Sequence, residues 1–297
     1  MDYPFPPAFI EKMRKAFGEQ KAEEIFSGLS LPRRKAIRIN TLKNDKDVPT
    51  LLKQDGFELV PVSWYPDAYL VENPEGLSSH PLLNQGHFYI QSLSSMIPAL
   101  VLDSKNTDHV LDICAAPGSK TSQIAALMHN EGFIIANDSS RERIFKLKDN
   151  LARLGVTNTQ SINKPGQILF KGVVEPFDKV LVDVPCSMEG RFQSDDPKTW
   201  ADWSPKKVKR LSEEQKGILR SAVRCTTAGG TIVYSTCTLS PEENEEVIEW
   251  ILTKEDITLE PIHIKNLATE AGLLKNTVRI FPSEDFEGFF IAKLKKN

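Results

Sequence analysis

The sequence predicts an α/β protein, a doubly wound, mostly parallel sheet of seven strands with a smaller α+β module before it. Three observations point there. From about residue 109 onward, short β-branched runs alternate with segments of helical period, the rhythm of successive strand–helix units. One such run, TIVYS within GGTIVYSTCTLS (229–240), opens into Ser-Pro-Glu-Glu and delivers Cys237 to its C-terminal end, where open α/β sheets keep their chemistry. Finally, 297 residues that are 40% apolar and 26% charged suffice for one large core and a second, smaller one.

Taken in order, residues 3–28 carry Phe9, Ile10, Met13, Phe17, Ile25 and Phe26 at helical spacing, which predicts one or two core-packed helices before the Leu31-Pro32 break. A strand at 36–40, a helix near 47–55 and strands at 57–64 and 68–71 complete the module, placed at 1–80, with the large domain at 81–297. GHFYIQSLSSM (86–96) reads as a strand feeding a helix to about Leu102 that joins the two. Strands are then expected at 109–114, 132–138, 158–163, 178–184, 230–236, 258–262 and 287–294, and helices near 119–129, 140–154, 205–227 and 241–253.

Composition narrows the classes. No apolar run reaches the roughly 18 residues of a spanning helix, and MDYPFPPAFIEKM lacks the order of a signal peptide, so a cytoplasmic protein without a membrane partner is expected. Cys114, Cys186, Cys225 and Cys237 show no CxxC spacing, so reduced thiols and no metal site are the reading. Net charge is -3, yet 29–54 holds Arg33, Arg34, Lys35, Arg38, Lys43, Lys46 and Lys53 against Asp45 and Asp47. A second basic run lies at 198–211, while 242–260 is acidic; a mixed solvated surface is the plain alternative for each.

The first strand–helix turn, HVLDICAAPGSKTSQIAALM, has small residues that let a ligand approach the backbone. Its single glycine and its proline differ from the GxGxxG pyrophosphate turn. Asp138 ends the second strand twenty residues after Gly118, where a carboxylate can accept both hydroxyls of a ribose. Together they suggest an adenosine-containing ligand; a solvated strand-end acid is the bland reading of Asp138.

LDICAAPGSKT, DVPCS and YSTCT, in this order and spacing, resemble the S-adenosylmethionine-dependent RNA cytosine-C5 methyltransferases of the NOL/NOP/Sun family. The resemblance also takes in AIRINTLK, GHFYIQSLSSM, NLARLG and EGFFIAKLKK, nearly the whole chain, and is nearest to the bacterial small-subunit rRNA methyltransferase F type. It implies a class I, Rossmann-like methyltransferase domain and S-adenosylmethionine as cofactor. Cys114, Ala115, Ala116, Pro117, Gly118, Ser119 and Lys120 would wrap the cofactor, and Asp138 would hold its ribose. Asp183 would contact the target base and border the cofactor. Cys237 corresponds to the nucleophile and Cys186 to the cysteine associated with product release. Two positions depart from the family. Pro165 stands where an acid usually meets adenine and offers neither side-chain acceptor nor N–H, which predicts weaker cofactor binding. Met188 replaces a glycine beside the entry path, which predicts a narrowed base pocket or a shifted loop.

Those residue types suit the chemistry. Cytosine C5 is a poor nucleophile until a thiolate adds at C6, so a cysteine at a strand end and a proton-sharing acid such as Asp183 on the N3 edge are what the reaction requires. Cys225, among Ala222 and Val223, reads as a buried core residue. The expected partner is RNA, rRNA or tRNA, with a base lifted from its stack, and the expected state is a monomer. Arg33, Arg34, Lys35 and Arg38, with Lys206, Lys207, Lys209 and Arg210, are candidates for phosphate contacts; Trp64, Tyr65, Trp200 and Trp203 are candidates for stacking or for core. The sequence stops after its last strand without the C-terminal RNA-binding domain of many family members, which leaves recognition to the N-terminal module. Two other readings compete: a methyltransferase of different acceptor chemistry, which needs no Cys237, and a weakened member acting as an RNA-binding or ribosome-assembly factor.

Overall fold

Apolar spacing near the N-terminus builds two helices whose partners lie far along the chain. The computed structural model describes residues 3–172 and 175–297. Helix α1 (Pro7–Phe17) starts on a proline that cannot use its missing N–H, and Gly18 turns the chain into α2 (Glu19–Leu29). Phe9, Met13, Ile25, Phe26 and Leu29 pack against Phe192 and Leu239, with Trp200 and Trp203 at the edge. These helices therefore brace loops of the large domain.

The small sheet has the order β2-β3-β1-β4 and is antiparallel, from β1 (Lys35–Ile39), β2 (Leu59–Pro61), β3 (Ala68–Val71) and β4 (Phe88–Ile90). Helix α3 (Val48–Gln54), capped by Asp47, covers it through Val48 and Leu52; α4 (Pro81–Asn84) leads into β4. Because β4 pairs with β1, the small hydrogen-bonded sheet takes in Phe88–Ile90. Helix α5 (Leu93–Leu102) then packs on the large sheet.

That sheet is nine-stranded. Its order is β11-β12-β13-β9-β8-β5-β6-β7, with β10 also on β13. The expected strands are present as β5 (His109–Asp112), β6 (Phe133–Asn137), β7 (Thr159–Ile162), β8 (Phe177–Asp183), β9 (Thr226–Thr236), β10 (Ile257–Glu260) and β13 (Phe289–Lys296). β5 through β9 run parallel, and β13 lies antiparallel to β9. Two further edge strands, β11 (Glu270–Ala271) and β12 (Val278–Ile280), are too short to show a period in sequence.

Side chains alternate across this sheet, as strands covered on both faces require. Val180, Val182, Ile232 and Tyr234 face a layer containing α8 (Pro205–Cys225) and α9 (Glu245–Leu252). Leu181 and Val233 face α5 and α6 (Ser119–Leu127). Between β6 and β7, α7 (Arg141–Arg153) packs Ile144, Leu147 and Leu151 on Ala115 and Ala116. The helix expected at 241–253 is interrupted: a single tight turn, Pro241–Glu243, precedes α9, because Asn244 spends its side chain on the Thr236 hydroxyl and the Thr238 carbonyl. The topology leaves the C-terminal ends of β5, β8 and β9 side by side, with Asp183 paired to Ser235 across the ladder.

Candidate active site

A cavity of about 450 Å³ opens at those three strand ends, within the size range of cofactor pockets. Its walls include Cys114, Ala115, Ala116, Pro117, Ser119 and Lys120 from the turn between β5 and α6, Asp183 from β8, and Cys237 just past β9. Gly118 shapes the turn at φ 104, and a Cβ there would lie 2.9 Å from Leu147. Asp112, Gln91, Ser95, Arg191, Glu287 and Phe289, which no motif singles out, line the same space.

Asp183 is not an isolated strand-end acid. Lys120 Nζ donates to its Oδ2 at 2.7 Å and Ser235 Oγ to its Oδ1 at 2.7 Å, while the carboxylate keeps 27% side-chain exposure toward the cavity. Lys120 also donates to Ser95 Oγ at 2.8 Å. Burial pulls the ammonium down, and the Asp183 charge more than offsets it, so Lys120 titrates above its ordinary range and stays charged. Asp112, 1% exposed, accepts the Thr121 hydroxyl on Oδ2 at 2.7 Å; its Oδ1 has no hydrogen-bond partner among the described residues. Burial raises this carboxyl to about 7.

The two cysteines meet. Cys186 Sγ and Cys237 Sγ lie 3.2 Å apart, both as free thiols; Cys237 faces the cavity and Cys186 sits behind it, 9% exposed. The hydrogen bond with Cys237, and then burial, push the Cys186 thiol well above its ordinary range, so it holds its proton at neutral pH. Burial does the same to Cys114. Cys225, the last residue of α8, is buried in the core, raised by burial to about 11, and takes no part in the site.

Behind the thiols, buried carboxylates tie the two cysteine loops together. Glu243, with no exposed surface, accepts the Ser187 N–H at 3.0 Å, the Ser187 hydroxyl and Gln215 Nε2 at 2.8 Å. Thr238 Oγ1 lies 2.7 Å from Ser187 Oγ and donates to Glu189 Oε2 at 3.0 Å. Ser187 follows Cys186 and Thr238 follows Cys237, so this network holds the sulfurs' backbones in register.

Other predicted residues fall elsewhere. Asp138 is 2% exposed and lies behind the cavity wall, accepting the Ser140 N–H at 2.9 Å and the Ala116 N–H at 3.3 Å, with Arg143 laid over it at 3.3 Å. Pro165 is exposed and outside the cavity. Met188 does not narrow the cysteine cavity: it sits at φ 59, 42% exposed, on an adjoining groove. Of the basic residues proposed for phosphate, Arg38 is 1% exposed and bound to Gln91, Ser122 and the Ser119 carbonyl, so it is structural. Arg34 is spent on Asp285 and Glu72, whereas Lys35, Lys206, Lys209 and Arg210 are exposed. Tyr65 is core; Trp64, Trp200 and Trp203 pack at core edges.

A parallel sheet that ends in an antiparallel strand, with a ligand-sized cavity at its switch point, defines the class I, Rossmann-like methyltransferase fold. The chain belongs to the family described as 16S rRNA methyltransferase RsmB/F, whose model matches residues 99–295; residues 5–93 match the N-terminal domain of 16S rRNA methyltransferase RsmF. The ribosomal RNA small subunit methyltransferase F of Cronobacter sakazakii is 38% identical over 309 residues, covering 98% of this chain. This chain spans 63% of that relative's length. Two solved structures from Pyrococcus horikoshii are similar throughout. NSun6 with SFG has a TM-score of 0.89 at 26% identity and covers 99% of both chains. A methyltransferase homolog has a TM-score of 0.86 at 32% identity, covering 99% of this chain and 96% of its own.

Proposed function

We propose that this protein methylates C5 of a cytosine in RNA, with rRNA the favoured substrate, using S-adenosylmethionine. One observation carries the reading: the Cys237 thiol faces a cavity shared with Asp183 and Lys120, and a protonated Cys186 lies 3.2 Å behind it. The cavity suits the cofactor. Asp112 Oδ1, buried at its wall and unpartnered among the described residues, is an acceptor for an amino group, and the 114–120 turn supplies a small-residue wall for the methionine part. Asp138 would reach the ribose only once Arg143 swings off it. When bound, the cofactor supplies an electrophilic methyl group.

The remaining chemistry belongs to the chain. Cys237 gives its thiol proton to solvent and adds its sulfur to C6 of the everted base, while Asp183 accepts a hydrogen from the N4 amino group and the neighbouring Lys120 charge stabilises the electron-rich ring that makes C5 nucleophilic. After C5 has gained its substituent, solvent in the open cavity takes the C5 proton, the C5–H electrons restore the C5–C6 double bond and the C6–S bond breaks, returning its electron pair to Cys237. Cys186, protonated and in hydrogen-bond contact, stabilises that departing thiolate. The N-terminal module would contribute RNA recognition, and a substrate of this class would place the protein in the cytoplasm.

The decisive test is Cys186→Ala incubated with total RNA and the cofactor. A covalent protein–RNA adduct should accumulate, and the added Cys237→Ala change should abolish it. Methylation retained by Cys237→Ala would refute the mechanism. Absence of new 5-methylcytosine in any RNA treated with wild-type protein would favour the binding-factor alternative.

A further inference from the structure

A second groove of about 360 Å³ adjoins the cysteine cavity, and the two share Arg191 and Glu287. Its other walls are Arg33, Met188, Gln193 and Thr199. Arg191 is held by one edge: its Nε lies 3.1 Å from Glu287 Oε1, and the other Glu287 oxygen accepts the Ser92 hydroxyl at 3.0 Å. The terminal nitrogens of Arg191 make no hydrogen bond with the described residues, and its side chain is 54% exposed. Arg33 donates to the carbonyls of Phe286 and Gly190 and has no carboxylate of its own among the described residues. Two guanidiniums thus face one carboxylate, leaving the groove net positive.

The Glu287 charge holds Arg191 above its ordinary pKa, and Arg191 shares the wall of the first cavity with Cys237. Met188, at the groove's rim in the left-handed region, presents an exposed thioether. A fixed planar cation beside a polarisable apolar surface, next to the reacting sulfur, matches one nucleotide: phosphate on the fork, base face on the sulfur.

We infer that this groove holds the nucleotide flanking the target cytidine, with Arg191 binding its phosphodiester and Met188 carrying its base. The inference rests on the RNA reading above and names a subsite for it. Phosphate and the cofactor's own carboxylate share the chemistry that Arg191 recognises, so the test separates them.

Binding of a short fluorescein-labelled oligocytidylate, followed by anisotropy across a salt series, should weaken about tenfold in Arg191→Ala, with the log K against log salt slope falling by about 0.7. Arg191→Lys should restore the slope but only part of the affinity, since a lysine cannot present two parallel donors. Met188→Ala should lower affinity a few-fold with the slope intact. Cofactor affinity by calorimetry should be unchanged in Met188→Ala and should fall less than RNA affinity in the two Arg191 variants. Wild-type RNA affinity and slope in Arg191→Ala, or a loss of cofactor binding instead, would overturn the subsite while leaving the methyltransferase reading standing. A wild-type protein that binds no RNA would sink both.

Discussion

Glu243 sits at the junction of the two cysteine loops, and its burial sets a pH dependence. Burial first, then the neighbouring Glu189 charge, raise its carboxyl from 4.5 to about 7. The folded state therefore binds this proton more tightly than the unfolded chain, so the group's contribution is fully present below pH 4.5 and is lost as pH rises through about 7. Glu243→Gln keeps an acceptor for Ser187 and Gln215 without a charge to bury. Relative to wild type it should gain stability between pH 5 and pH 8, by up to about 3 kcal/mol. Urea unfolding at the two pH values measures it, and an identical difference at both would contradict the assignment. At this scale the sequence exposed Cys237, Cys186, Asp183 and Lys120 through their motifs. It hid Asp112, which reads as the end of a buried strand; only its unpartnered oxygen distinguishes it.

At the scale of elements, the loop after β8, the turn after β9 and the entry to β13 meet at backbone distance. Gly190 donates its N–H to the Cys237 carbonyl at 3.0 Å and its carbonyl accepts the Gly288 N–H at 2.9 Å. A Cβ on Gly190 would fall 2.0 Å from the Gly288 oxygen, a backbone atom with nowhere to go. Gly190→Ala should cost about 2–3 kcal/mol, as overpacking does, and separate the cysteine loops. A lowered urea midpoint together with slower Cys186–Cys237 disulfide formation under mild oxidant would bear this out; wild-type values for both would not. Helices and long strands were legible in sequence because period and caps are local. The break at Asn244 and the strands β11 and β12 were not, since each depends on partners supplied by other segments.

Across the whole molecule, Arg38 joins the small sheet to the cofactor turn. Its guanidinium, 1% exposed, donates to Gln91 at 3.0 Å, to Ser122 at 2.9 Å and to the Ser119 carbonyl at 3.3 Å. Gln91 in turn donates to Gln123 of α6 at 3.1 Å. Removing the cation leaves these acceptors buried and unpaired, so Arg38→Ala should lose about 3–5 kcal/mol, and cofactor affinity should fall several-fold because Ser119 opens α6. Calorimetric melting should show one cooperative transition at a lower temperature; two separated transitions in the wild type would refute the joint core. The packing of α1 and α2 on Phe192 and Leu239 is a second expression of the same arrangement.

By itself the sequence determined the strand–helix rhythm, the placement of Cys237 at a strand end and the order of the motifs, because periodicity, turn chemistry and capping act over a few residues. Tertiary structure alone decided which arginines are consumed in buried bonds, that Asp138 lies under Arg143, and that Met188 borders a second groove. It also brought together two sulfurs 51 positions apart in the chain. Contacts of that span are set by sheet register and loop packing, which no local pattern encodes.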